Sequence, residues 1–167
     1  MYFLKFGCNY EKKTVCFTGH RKIPSGEYKN IAERTQSEII KLIKKGYRYF
    51  GAGGAMGYDT LAADIVLNLK SQFPQIRLIL VLPCRDQSKS WSETDKNIYN
   101  QIREDADKIV YTSEKYDRGC MFKRNRHLVD HSSVCICYLI SQTGGTAYTV
   151  EYSKKQGLQI INITDFA

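Results

Sequence analysis

From residue 14 to the C-terminus, short apolar runs alternate with longer stretches of helical periodicity. Six strands are predicted, over residues 14–18, 47–50, 76–82, 108–112, 134–139 and 159–163. Apart from Arg77, the run 76–82 is apolar up to Pro83, the pattern of a strand buried on both faces. A helix over 27–45 turns Ile31, Ala32, Ile39, Ile40 and Ile43 inward, with Ser25 as its cap and Gly46 as its stop. A second, over 59–71, buries Leu61, Ala62, Ile65, Val66 and Leu69. Ser90-Trp-Ser-Glu93 has the form of a capping box opening a third helix that runs to Ala106. Helices over 121–131 and 147–155, the latter ended by Gly157, complete the pattern. Apolar strands separated by helices predict an α/β fold: a single Rossmann-like domain with a mostly parallel sheet and helices on both faces.

A chain of 167 residues is long enough to bury such a core without staples. Residues 14–167 are expected to form the domain and residues 1–13 an N-terminal extension that adds an edge strand. The first seven residues are apolar but have no basic leader or small-residue cleavage site, so they do not read as a signal peptide. No apolar run approaches the about 18 residues that cross a bilayer, so a cytoplasmic protein without a membrane partner is expected. Six cysteines occur without a C-x-x-C. Cys135 and Cys137 fall on one side of a strand and Cys16 lies inside another, where thiols act as small hydrophobes. His20, His127 and His131 supply no zinc spacing with them, so neither a metal nor a cofactor is expected. The formal charge of +8 favours anionic partners in general.

Ligands of open α/β sheets bind beyond the carboxyl ends of the strands, and the residues there are unusual. The second strand leads into Gly51-Ala-Gly-Gly-Ala-Met-Gly-Tyr-Asp59, and the fifth into Gln142-Thr-Gly144-Gly145-Thr146. Both turns are suited to hold an anion on backbone amides at a helix start, with Thr146 as N-cap. Gly53, Gly54, Gly57, Gly144, Gly145 and Thr146 are therefore candidate ligand residues. Neither turn fits the dinucleotide or P-loop spacing. Asp59 either caps its helix or binds a ribose hydroxyl. The first strand ends in Thr18-Gly19-His20-Arg21, where Gly19, His20 and Arg21 are candidate ligand residues and His20 serves as acid/base, donor or turn cap.

Before the fourth helix, Arg118-Gly-Cys-Met-Phe-Lys-Arg-Asn-Arg126 puts cations where the helix dipole prefers acids, which suggests a bound anion. Helical spacing places Met121, Asn125, Leu128 and Val129 inward with Arg124 at the border, so Asn125 and Arg124 are read as ligand residues. Lys123 and Arg126 are read as solvated, and Tyr58, Trp91 and Tyr99 as core aromatics or base-stacking rings.

Cys16-Phe-Thr-Gly-His-Arg21, the 51–59 turn, Lys123-Arg-Asn-Arg-His-Leu-Val-Asp130 and Gly144-Gly-Thr-Ala-Tyr-Thr-Val150 together resemble the YpsA-like branch of the SLOG superfamily, domain of unknown function 1273. The resemblance implies a Rossmann-like fold and a nucleotide or ADP-ribose-like ligand in a sensor or regulatory role. The superfamily also holds the LOG phosphoribohydrolases and the single-stranded-DNA-binding protein DprA. By resemblance to the LOG motifs, Arg124 and Glu151 would be the catalytic residues of an N-glycosidase acting on a nucleoside 5'-monophosphate. Thr143, Ala147, Tyr148 and Asn125 depart from those motifs. Single-strand nucleic-acid binding ranks below nucleotide binding, because no basic-aromatic stripe shows along the sequence. A homo-oligomer is expected by analogy alone.

Overall fold

The computed structural model describes residues 10–164. Six strands form one sheet: β1 (Thr14–Gly19), β2 (Tyr49–Ala52), β3 (Arg77–Leu82), β4 (Lys108–Tyr111), β5 (Val134–Tyr138) and β6 (Gln159–Asn162). All five pairings are parallel, in the order β4-β3-β2-β1-β5-β6. Five helices connect them: α1 (Tyr28–Lys44), α2 (Tyr58–Leu69), α3 (Glu93–Asp105), α4 (Cys120–Asp130) and α5 (Gly145–Lys155). Successive strands are added outward from β1 to β4, and β5 and β6 are then added on the opposite side of β1. The order of strand addition thus reverses at β1, between β2 and β5.

Alternation along the strands feeds two cores. Val15 and Phe17 of β1 join Phe50, Leu78, Leu80, Leu82, Val134 and Ile136 with the apolar faces of α1, α2 and α3. Cys16, Val81, Cys135 and Cys137 pack instead with Leu128, Val129 and Val150 of α4 and α5. Cys16, Cys84, Cys120 and Cys135 are buried free thiols, and Cys137 is buried as well. Cys16 and Cys135 stand side by side in the β1–β5 register.

Several helix starts differ from the sequence pattern. The N-cap of α1 is Glu27, with no side-chain bond, so Ser25 does not cap it. The box before α3 is Ser92 with Asp95: Ser92 Oγ accepts from the Asp95 amide at 3.1 Å, displacing the Ser90/Glu93 reading by two residues. Gly144 rather than Thr146 is the N-cap of α5, and Thr146 is buried in its first turn. Strand β2 continues through Gly51 and Ala52, which shortens the glycine turn. In α1 the polar Thr35 is fully buried because Oγ1 bonds Tyr58 Oη at 3.0 Å. Much of the expected edge strand falls on residues 1–9, outside the described residues. Tyr10 and Glu11 are helical and lead by a turn into β1.

Candidate functional site

At the β1–β5 reversal lies a cavity of about 310 Å³, lined by residues from β1, α2, α4 and α5 and from the loops beside them. β1 and its end contribute Phe17, Thr18, Gly19, His20 and Arg21, and the β2–α2 turn contributes Ala55 and Asp59. Met121, Arg124 and Asn125 come from α4, and Gly145 and Thr146 from the start of α5. Parallel strands make this convergence unavoidable, since their carboxyl ends share one edge of the sheet. A larger hollow of about 580 Å³ opens near the amino ends of β1, β2 and β4. Its walls mix the aliphatic Ile79, Val81, Val110 and Leu128 with Tyr10, Tyr49, Lys108, His127 and His131.

The burial of α4 inverts the sequence reading. Arg124 is the buried residue, 5% exposed, and Asn125 is only half-buried. Periodicity had assigned the charged side chain to the border, but long-range partners stabilise it inside. Arg124 Nη1 donates to the Gly53 carbonyl, and Nε donates to Asn125 Oδ1 at 2.7 Å. Asp59, 6% exposed, and the guanidinium both crowd the position that a Gly53 Cβ would take. Its Oδ2 accepts from the Ala55 amide at 3.3 Å, so the carboxylate closes the glycine turn.

Burial pushes the Asp59 carboxyl above its usual range, while the Arg124 charge and the Ala55 amide pull it back. Burial likewise works against the Arg124 charge, opposed by Asp59. These are two desolvated opposite charges whose mutual attraction only partly offsets the loss of water.

The glycines of the β2–α2 turn serve this arrangement from behind. Gly53, Gly54 and Gly57 are not among the cavity-lining residues. A Cβ on Gly53 would run into the Arg124 guanidinium, and one on Gly57 (φ +82°) into the backbone of Arg21. Two turn amides are also occupied: Ala55 donates to Asp59 and Tyr58 to the His20 carbonyl at 3.1 Å. The start of α5, like that of α2, has no side-chain cap, but here Gly145 and Thr146 line the cavity. Of the two glycine turns, the second is therefore the one that brings a glycine to the cavity wall.

His20 clips the β1 and β5 ends together, its Nε2 accepting from the Ile140 amide at 3.0 Å. That bond needs a neutral ring, and burial lowers the ring's pKa from 6.5. A depressed base contributes stability above its unfolded pKa, and this is lost as pH falls through the folded value. The Ile140 amide resonance is therefore expected to titrate with a midpoint below pH 6.5 and to lose exchange protection on the acid side. A flat Ile140 signal between pH 7.5 and 5 would remove this clip from the account.

Glu151 is exposed, its Oε1 accepts from Lys154 Nζ at 3.0 Å, and it does not line the cavity. Asp59 is the lining carboxylate. Gly144 is the N-cap at the rim, again not a lining residue. Tyr58 and Tyr99 are core residues, and Trp91 packs edge-on against Tyr99 with ring centroids 5.2 Å apart. Thr18, Ala55 and Met121 were not among the candidate ligand residues, although helical spacing had already placed Met121 inward. Alternation from Cys16 places Thr18 toward α4 and α5, a usable signal.

A parallel sheet whose strand order reverses beside β1 defines a doubly wound, Rossmann-like domain. The YspA SLOG family model matches residues 15–164, and the chain belongs to that family. The SPbeta prophage-derived protein YoqJ of Bacillus subtilis (strain 168) is 30% identical over 138 residues, covering 75% of this chain and 81% of YoqJ. A UPF0398 protein of Halalkalibacterium halodurans is 27% identical over 157 residues, covering 88% and 83%. Among solved structures, the single-stranded-DNA-binding DNA processing protein A of Helicobacter pylori superposes with a TM-score of 0.63 at 18% identity. That superposition covers 91% of this chain and 65% of the Helicobacter protein, and it shows a shared fold. No helix among the described residues is long and apolar enough to cross a membrane.

Proposed function

We propose that the cavity binds a phosphate-bearing nucleotide or nucleotide-derived ligand, in a sensing or regulatory role. The observation that carries this reading is the convergence of an uncapped helix start with Arg21, Arg124 and Asp59 on one cavity at the sheet reversal. The phosphate sits against the Gly145 and Thr146 amides, where the helix dipole favours an anion. Arg21, exposed at the rim, supplies a second positive contact. Asp59 and Asn125 offer acceptor and donor groups suited to ribose hydroxyls. A volume of about 310 Å³ is at the low end of the ~300–1,000 Å³ typical of small-molecule sites. It accommodates the phosphosugar and leaves the base toward the rim. Because Glu151 stands outside the cavity, the geometry favours binding over base release.

Calorimetry against inorganic phosphate, ribose 5-phosphate, AMP, ADP and ADP-ribose tests this reading. At least one sugar phosphate is expected to bind more tightly than phosphate alone. Arg21→Ala should weaken that binding about tenfold, the scale of one charge-assisted hydrogen bond. Its side chain is exposed, so the fold should be unaffected. No heat with any of the five ligands would refute the reading.

A further inference from the structure

Helices α4 and α5 lie against each other, and their outer surface carries a ladder of rings and cations that neither helix shows alone. Phe122 is 44% exposed, and its ring meets Tyr148 edge-on, with centroids 4.7 Å apart. Tyr148 and Tyr152, one turn apart on α5, lie with planes 4° from parallel and centroids 6.4 Å apart. Arg126, one turn after Phe122, places its guanidinium 5.8 Å and 5.9 Å from these two ring centroids. Its Nε donates to Tyr148 Oη at 2.7 Å, which fixes the stack. Tyr152 is held at the far end, its Oη donating to Asp130 Oδ1 at 2.7 Å.

Gly119, Phe122, Lys123, Arg126 and Tyr148 line an open trough of about 440 Å³. Among the described residues, Arg118, Lys123 and Arg126 have no carboxylate within ion-pair distance. The neighbouring carboxylates are engaged: Asp130 by Tyr152, Glu151 by Lys154, and Asp117 by the Gly119 amide. The trough therefore combines an exposed aromatic ring with uncompensated positive charge.

We propose that this α4–α5 face is a docking track for single-stranded nucleic acid. Bases stack on Phe122 and the Tyr148 edge of the ladder, and phosphates are met by Lys123, Arg126 and Arg118. Unpaired bases present the π-faces that such rings engage, whereas a duplex keeps those faces stacked inside. Exposed cations at helical spacing complement a phosphate backbone and would repel a basic second copy of this chain, whose formal charge is also +8. The track is separate from the nucleotide cavity, although Met121 and Asn125 place its edge at the cavity rim. It stands whether or not the cavity holds a nucleotide.

The test is fluorescence anisotropy of a labelled ten-residue oligothymidylate at 50 and 200 mM salt. The single strand is expected to bind at low salt and to outbind a duplex of the same length. Each phosphate contact adds about −0.7 to the slope of log affinity against log salt, so Lys123→Gln should flatten it by about that amount. Phe122→Ala should weaken binding about tenfold, the scale of one lost stacking contact. Both side chains are exposed, and thermal melts report directly whether the variants stay folded. Absence of binding at 50 mM salt would overturn the proposal. So would binding that folded Phe122→Ala and Lys123→Gln variants leave unchanged, which would put the strand elsewhere. A concentration-dependent dimer that Phe122→Ala dissociates would also overturn it, by giving the face to a second copy.

Discussion

Replacing Arg124 by methionine is expected to cost about 3–5 kcal/mol of stability, because it leaves the buried Asp59 carboxylate without its opposing charge. For a domain of this size the melting temperature should fall by roughly 10 °C. The loss carries a pH signature. Burial holds the folded Asp59 carboxyl above its ordinary value, so its contribution to stability is complete below the unfolded pKa. It is lost as pH rises through the folded value, and Arg124 reduces that loss in the wild type. The deficit of Arg124→Met should therefore be largest near pH 8 and shrink toward acid, where Asp59 is protonated. A deficit independent of pH would make it a packing loss. The double variant Asp59→Asn/Arg124→Met should be more stable than the sum of the single losses predicts, since it removes both desolvated charges together.

Gly57→Ala is expected to have the second largest effect, about 3–4 kcal/mol by chemical denaturation. Two costs coincide there. The backbone has φ +82°, which an L side chain rarely adopts, and the added methyl would press into the Arg21 backbone. Relief requires moving Arg21 away from the cavity rim, so ligand affinity should fall with stability. Gly46→Ala is the informative control, because Gly46 has φ +97° but nothing within 4 Å of a Cβ. It should cost only about 1–2 kcal/mol, the conformational part alone. Equal losses at the two positions would show that close approach to Arg21 contributes nothing.

Both predictions depend on contacts that local sequence patterns do not show. The strands and helices were legible because apolar runs and helical periodicity are local, and their bounds shift by only a few residues. The strand order was not, because seating β5 beside β1 joins residues well over a hundred positions apart. The orientation of α4 failed for a related reason. Periodicity treats a charged residue as the less buried choice, yet Arg124 finds its acceptor at Gly53 and its counter-charge at Asp59.

The same distance explains the glycine turns. Gly53 and Gly57 were read as ligand residues, and the sequence did not show that the Arg124 guanidinium and the Arg21 backbone approach them too closely for a Cβ. His20, Arg21, Asp59, Arg124, Asn125, Gly145 and Thr146 were marked from sequence and do meet in one cavity, because parallel strand ends share an edge. Glu151 was carried by motif resemblance, and it is not among the residues that line that cavity. The aromatic–cation ladder escaped notice because its two halves lie on different helices, with Arg126 and Tyr148 meeting only in the fold.

The central claim is that the cavity at the β1–β5 reversal holds the phosphate of a nucleotide-type ligand. Backbone amide NMR during a titration with the tightest-binding sugar phosphate tests it most directly. The account predicts the largest shifts at Gly145 and Thr146, with further shifts at His20, Arg21 and Asn125 and in the Arg124 Nε resonance. Shifts confined to His127, His131 and Val110 around the larger hollow would contradict it.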